Sequence, residues 1–320
     1  MSSQPLVSIV MATRNRPELM ARALASIREQ TLQDFEVLVT DDGSALDALE
    51  GNRAVFAALD GRFQFQAPLA PGTSGSGPAI AKNRGLARAG GRFIAFLDDD
   101  DCWVWPRYLE TAVTALEAKG LDLYFADMRG YRGDTLVWDT FRLDKASLVI
   151  GPRVMEVDAE TYLVDRAAFF RTIGQRNVHP NTVVIRKSLA DKGGPFLRSQ
   201  FFGEDYEFIL RQADRIEWAL FGPQVAARYR LPEGDSTSLT NSALESHLQM
   251  ISAAQHLRVA VRSQEAQDAA RRFESWHFRQ AGAELRRQGQ NSTARAFAWR
   301  ALAARFSLGN LANLVRISLP

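Results

Sequence analysis

The chain has 320 residues, of which 46% are hydrophobic and 24% charged, with a net charge of +2. These are the proportions of an ordinary globular chain, and they exclude a collagen-like repeat, a long disordered polymer and a disulfide-stapled mini-scaffold. Cys102 is the only cysteine, so neither an internal disulfide nor a cysteine-rich zinc site can form. No run approaches the about 18 consecutive apolar residues of a membrane span. Met1–Pro5 also lacks the basic and apolar regions of a signal peptide, so a cytoplasmic chain is expected. The overall charge is too balanced to call for nucleic acid, but it is unevenly placed. Residues 241–320 hold eleven arginines, no lysine and five acids, a net of +6, which leaves about −4 for the first 240 residues. Two parts with different surfaces are expected, 1–240 and a helical 241–320, the first divided into halves at about residue 125.

The first part alternates strand and helix patterns. Leu6–Met11 reads as a buried strand. Pro17 and Glu18 suit a first helical turn, and Met20, Ala23, Leu24 and Ile27 recur at helical spacing. Phe35–Thr40 is a second strand, stopped by Asp41-Asp42-Gly43-Ser44, and Arg62–Gln66 a weaker third. Pro71–Pro78 reads as a flexible Gly/Ser loop. Helices are predicted over Ala79–Ala89 and Pro106–Lys119, with strands over Arg92–Leu97 and Leu121–Ala126. This rhythm argues for an α/β fold, a mostly parallel sheet flanked by helices. Three strands end in polar groups (Thr13–Asn15, Asp41–Ser44 and Asp98–Asp101), and ligands bind outside the carboxyl ends of such strands. Residues 130–202 mix aromatics and charges with little periodicity. Gly203–Ala213 reads as a helix, Ile216–Phe221 as a strand and Tyr229–Leu239 as a polar loop. From Ala243 the pattern is helical to the end, broken near Ser263, Gly289 and Ser307–Asn310.

Asp98-Asp99-Asp100-Asp101 carries the strongest chemical signal. Four adjacent carboxylates repel one another unless something positive joins them, and a hard divalent cation such as Mg²⁺ or Mn²⁺ fits oxygen ligands. In extended chain, alternate residues face the same way, so Asp98 and Asp100 are expected to face one ligand. The alternative is a solvated acidic loop, which the preceding buried strand and the following Trp103 argue against. Asp42 can accept from a nucleobase N–H or a ribose hydroxyl, or simply belong to an Asp-Gly turn. Lys82 and Arg84, beside Asn83, can meet diphosphate oxygens, or be a solvated basic face. Glu204 and Asp205 open a helix, where carboxylates are favoured in any case. Successive helical side chains point about 100° apart, so only one of the two should face a cleft, as a general base. Arg230 can close over a phosphate, and His179 can touch an acceptor.

Taken in order, Val7–Arg16, Gln30–Ser44, Ala81-Lys82-Asn83-Arg84-Gly85, Phe96–Asp101 with Trp103, and Gly203-Glu204-Asp205 with Leu210-Arg211 resemble the glycosyltransferase family 2 enzymes of GT-A fold. The resemblance covers residues 6–125 most closely and 175–240 more loosely. It implies a nucleotide-diphosphate sugar donor, a UDP-sugar first, and an inverting transfer to a glycan or lipid-linked acceptor. By position, Thr13, Asn15, Asp42, Lys82, Arg84, Asp98 and Asp99 would bind the nucleotide sugar. Asp98 and Asp100 would hold Mn²⁺ or Mg²⁺, and Asp205 would be the base. Glu204, Trp103, His179 and Arg230 are further candidate acceptor or phosphate contacts. Arg14 stands where the family more often has Tyr. The Gln-x-x-Arg-Trp motif of processive synthases is missing, which favours single-sugar transfer. A non-catalytic nucleotide-sugar binder is the competing reading. A nucleotidyltransferase ranks lower because no Gly-rich phosphate loop follows the first strand, and a dehydrogenase lower still for want of a Gly-x-Gly-x-x-Gly turn.

The arginine-rich tail suits a helix lying on an anionic membrane. By a small margin it better suits helices packed on the catalytic part or on a second subunit, with the arginines outward.

Overall fold

A computed structural model of the chain describes residues 4–68, 70–72, 75–139, 154–158, 161–173, 178–231 and 242–318. Its first half runs β1 (Val7–Thr13), α1 (Pro17–Arg28), β2 (Phe35–Asp41), α2 (Leu46–Ala57), β3 (Phe63–Gln66), α3 (Pro78–Leu86), β4 (Phe93–Phe96), β5 (Cys102–Trp103) and α4 (Tyr108–Lys119). The middle holds β6 (Leu123–Arg132), β7 (Thr135–Trp138), β8 (Val154–Asp158), β9 (Thr161–Asp165), α5 (Arg166–Ile173), a short 3-10 turn at Pro180–Thr182, β10 (Val183–Arg186), α6 (Lys187–Gly193), α7 (Glu204–Ala213) and β11 (Trp218–Arg230). Four helices close the chain: α8 (Ala243–Ala260), α9 (Gln264–Arg287), α10 (Asn291–Ala304) and α11 (Leu308–Ser318). They break where the sequence predicts, at Ser263, Gly289 and Ser307. Ser242 and Ser263 cap α8 and α9 with their hydroxyls.

The strands form one sheet in the order β3-β2-β1-β4-β10-β6-β11-β9-β8, with β5 on β11 and β7 on β6. From β3 to β4 every pairing is parallel, as the alternating pattern requires. Beyond β4 the sheet is mixed. β10 runs antiparallel to both β4 and β6, and β6 is parallel to β11. The carboxyl ends of β1, β2, β4, β6 and β11 therefore share one edge with the amino end of β10.

β1 is buried on both faces, so its alternate residues enter two cores. Val7, Ile9 and Met11 pack with Met20, Leu24 and Ile27 of α1, and Leu109 and Leu116 of α4 belong to the same core. Val10 belongs to the opposite core, with Phe96, Phe125, Phe169 and Phe208. That second core also takes Leu257, Ala266 and Ala269 of α8 and α9. The last helices have a small core of their own around Leu285, Ala294, Ala298, Leu314 and Ile317.

Two readings change. Tyr229 and Arg230 end a strand rather than open a loop, because β11 continues past the predicted Phe221 alongside β6 and pairs Ala227 with Trp103. Residues 232–239 of the predicted loop lie outside the described residues. α2 was not foreseen, since Gly51 and Asn52 sit in its middle and blur its period.

Candidate functional site

The four acids after β4 lie on a turn rather than an extended strand: the Asp101 amide donates to the Asp98 carbonyl at 3.2 Å. This overturns the alternate-residue expectation. Residues three apart converge instead, and Asp98, Asp101 and His179 offer ligand atoms that all lie within 4.8 Å of one another. His179 Nε2 is 3.9 Å from Asp98 Oδ2. Asp99 and Asp100 turn the other way, towards Arg16, whose Nη1 is 3.3 Å from Asp99 Oδ1 and 2.8 Å from Asp100 Oδ2. Thr13, at the end of β1, donates its hydroxyl to Asp99 Oδ2 at 2.7 Å. Asp100, expected beside the cation, is thus outside the converging group and paired with an arginine the sequence reading did not single out.

Asn181 organises this turn. Its Oδ1 accepts from the Asp98 amide at 3.0 Å, its Nδ2 donates to Asp101 Oδ2, its carbonyl accepts from Trp103 Nε1 at 2.7 Å, and its amide donates to His179 Nδ1 at 3.4 Å. It reaches the acids because antiparallel β10 begins where parallel β4 ends. The other oxygen of Asp101 accepts from the Arg230 amide at 2.6 Å. Trp103 is buried and packs on Tyr108, so it supports the acid turn from beneath and does not face a cleft.

Against the acid turn stands Lys82 of α3, buried, with Nζ 2.7 Å from Asp205 Oδ1, 3.3 Å from Glu204 Oε1 and 3.4 Å from Asp98 Oδ1. It is therefore neither a solvated basic residue nor free for a diphosphate; it ties the acid turn to the first turn of α7. Gly203 makes that turn possible. Its φ of 85° is left-handed, and a Cβ there would strike Met250. Both Glu204 and Asp205 meet Lys82, contrary to the expectation that one would turn away, but their exposure differs: the Asp205 side chain is 23% exposed and that of Glu204 7%. Neighbouring Asn83 pins Phe196 through both its amide and its carbonyl, each at 2.8 Å.

The remaining predicted residues build the loop edge beside β2. Asn15, at φ 57°, accepts from the Ala45 amide at 2.8 Å, while its own amide donates to Ser44 Oγ at 2.9 Å. Asp42 accepts from the amides of Ser76 and Gly77 at 2.7 and 2.8 Å. Arg84 reaches the carbonyls of Ala67 and Asp41 at 3.0 and 3.4 Å. These residues lie at the carboxyl ends of β1 and β2 and on the segments bound to them.

The electrostatics have a common cause. Six carboxylates (Asp98–Asp101, Glu204 and Asp205) crowd together against the positive charges of Lys82, Arg16 and Arg230. Burial, then the charge of Asp100, push Asp99 up to about 7. Burial, then Asp205, push Glu204 up to about 8. Asp101 is held well above the carboxylate range by burial and by Asp100 and Asp98. Burial also works against charge on Lys82 and Asp98. Asp205, Asp98 and Glu204 outweigh it for Lys82, which is held well above the usual lysine range. Lys82, with the hydrogen bonds from Lys82 and Asn181, outweighs it for Asp98, whose carboxyl is lowered. Burial lowers His179, favouring neutral imidazole. Excess negative charge, two carboxylates and a neutral imidazole in one place suit a divalent cation such as Mn²⁺ or Mg²⁺.

Residues 8–190 match the Glycosyl transferase family 2 profile, and the chain belongs to that family. It is 37% identical over 100 residues to UDP-Glc:alpha-D-GlcNAc-diphosphoundecaprenol beta-1,3-glucosyltransferase WfgD of Escherichia coli, covering 31% of this chain and 36% of that protein. The chain spans about a third of the length of the curated relatives it matches. Among solved structures, TarS of S. aureus in complex with UDP-GlcNAc is similar over 98% of this chain and 79% of that one, with a TM-score of 0.62 and 18% identity. The mannosyltransferase PcManGT of Pyrobaculum calidifontis, in complex with GDP-Man and Mn²⁺, covers 98% and 80%, with a TM-score of 0.60 and 16% identity. The fold is thus that of GT-A glycosyltransferases.

Proposed function

We propose that the protein is an inverting, single-sugar glycosyltransferase, moving a sugar from a nucleoside-diphosphate donor to an acceptor hydroxyl with help from a divalent cation. The observation that carries this reading is the convergence of Asp98, Asp101 and His179 opposite the Lys82–Asp205 pair. The donor class is supported by TarS with UDP-GlcNAc and PcManGT with GDP-Man and Mn²⁺, with a UDP-sugar the first choice. A glycan or lipid-linked acceptor is supported by the diphosphoundecaprenol-linked substrate in the name of WfgD.

Asp98, with His179 and Asp101, would hold the cation, and Asp100 would join only by leaving Arg16. Bound there, Mn²⁺ or Mg²⁺ would supply a Lewis acid for the departing diphosphate. Asp205 is the base. As the acceptor oxygen bonds to the anomeric carbon and the carbon–phosphate-oxygen bond breaks, the hydroxyl proton passes to the Asp205 carboxylate. Lys82 holds Asp205 by Oδ1 and fixes its distance from Asp98, so base and leaving-group side keep one geometry. Buried Glu204, raised to about 8, is the poorer base near neutrality. Asp42 and Arg84 would meet the base or diphosphate, Asp42 by exchanging its bonds to the Ser76 and Gly77 amides, and Thr13 and Asn15 would support the nucleotide beside them. Arg230, fixed to Asp101 through its amide, would close on the phosphate.

The test is a thermal-shift screen of nucleoside diphosphates and their sugars with and without Mn²⁺, followed by transfer assays with the donor that binds. Metal-dependent stabilisation by one nucleotide class is expected, with sugar transfer. Donor binding without any transfer or hydrolysis would leave a binding protein instead.

A further inference from the structure

The outer side of the last two helices carries a surface that sugar transfer does not use. α10 and α11 fold against each other around Ala294, Ala298, Leu314 and Ile317, which turns their opposite faces outward. There Trp299 is 61% exposed, Phe306 71% and Leu308 78%, and Leu311 and Val315 are exposed one and two turns further along α11. Residues 308, 311 and 315 recur at helical spacing and form one stripe. Single exposed apolar residues are ordinary; five large ones within 17 residues are not.

The same segment carries Arg295, Arg300, Arg305 and Arg316, and no acid from Asn291 onward. All four are exposed, and none forms an ion pair among the described residues. A second copy of the chain docked here by two-fold symmetry would set this basic, acid-free segment against its own copy, so like charge opposes that pairing. An anionic lipid surface satisfies both features. Its headgroups meet the guanidinium groups, and its acyl boundary receives Trp299, Phe306 and the α11 stripe.

We infer that α10 and α11 form a docking face for an anionic lipid membrane, lying on the bilayer rather than across it. No described helix is long and apolar enough to cross one, so the attachment is peripheral and reversible. It stands independently of the proposed transfer reaction, and its test does not use activity.

The test is co-sedimentation of the full chain with phosphatidylglycerol-containing vesicles and with pure phosphatidylcholine vesicles. The chain should pellet with the anionic vesicles only, and rising salt should release it. Trp299→Ser combined with Leu308→Ser and Leu311→Ser should abolish pelleting. Arg295→Gln, Arg300→Gln and Arg305→Gln together should weaken it about a hundredfold, at about fivefold for each arginine. Val259→Ser removes an equally exposed apolar residue outside the face and should change nothing. Circular dichroism confirms that each variant folds. The proposal fails if the chain pellets with neither vesicle or equally with both, or if the apolar variant pellets like the parent. It fails too if sedimentation equilibrium shows these residues joining two copies while anionic lipid recruits nothing.

Discussion

Lys82 is the residue on which the site's electrostatics turn. It is buried and touches three carboxylates. Lys82→Met would leave Asp98, Glu204 and Asp205 without their cation, and removing one partner of a buried pair costs about 3–5 kcal/mol. A matching loss in chemical unfolding is expected, with partial recovery in Lys82→Arg. Asp205→Asn should keep the fold and donor-dependent stabilisation but lower turnover more than about a hundredfold, as expected for a general base; near-normal turnover removes Asp205 from that role. Asn181 touches no reacting atom in the proposed chemistry yet holds Asp98, Asp101, Trp103 and His179. Asn181→Ala should weaken Mn²⁺ binding about 10–100-fold, as loss of a ligand's supporting hydrogen bonds does, measured by calorimetry. The acids and Lys82 were legible as residue types. Their pairings were not: a turn at Asp98–Asp101 exchanges which acids converge, and Arg16 and Asn181 carry no motif that announces them.

At the scale of elements, α8 and α9 are joined to the catalytic body by buried polar contacts as well as by apolar packing. His256 Nδ1 is 2.9 Å from Glu207 of α7 and the Ser263 amide donates to Asp214 at 2.9 Å, while His247 of α8 and His277 of α9 face each other at 3.0 Å and tie the two helices together. Burial first, and the His247 charge second, lower His277 to about 3, whereas an unfolded histidine titrates near about 6.5. The folded state therefore refuses a proton that the unfolded state accepts. Stability from this group is complete above about pH 6.5 and is lost as pH falls towards 3, reaching about 2 kcal/mol by about pH 5. The thermal midpoint should fall across that window, and His277→Gln should flatten the fall. The helix breaks at Ser263, Gly289 and Ser307 were readable from caps and turn residues. The packing of α8 and α9 into the sheet's own core was not, since a small-residue face of Ala266, Ala269 and Ala270 reads alike against a sheet, another helix or a second subunit.

For the molecule as a whole, the mixed sheet is what assembles the site. Parallel strands bring Thr13, Asp41 and the acid turn to one edge, and the antiparallel entry of β10 delivers His179 and Asn181 there. If a cation completes this edge, chelator treatment should reduce both transfer and donor-induced stabilisation, and added Mn²⁺ should restore them; full activity in chelator would remove the metal from the reaction. By itself, the sequence determined the α/β class, the order of the first elements apart from α2 and β5, the helical tail and the residue types of the site, because periodicity, caps and motif spacing are local properties of a chain. Only the tertiary structure decided which acids converge, which cation holds them, how far β11 runs and which faces of the last helices stay bare. Those depend on strand direction and on contacts between residues more than eighty positions apart, such as Asp98 with Asn181 and Lys82 with Asp205, and no local pattern encodes them.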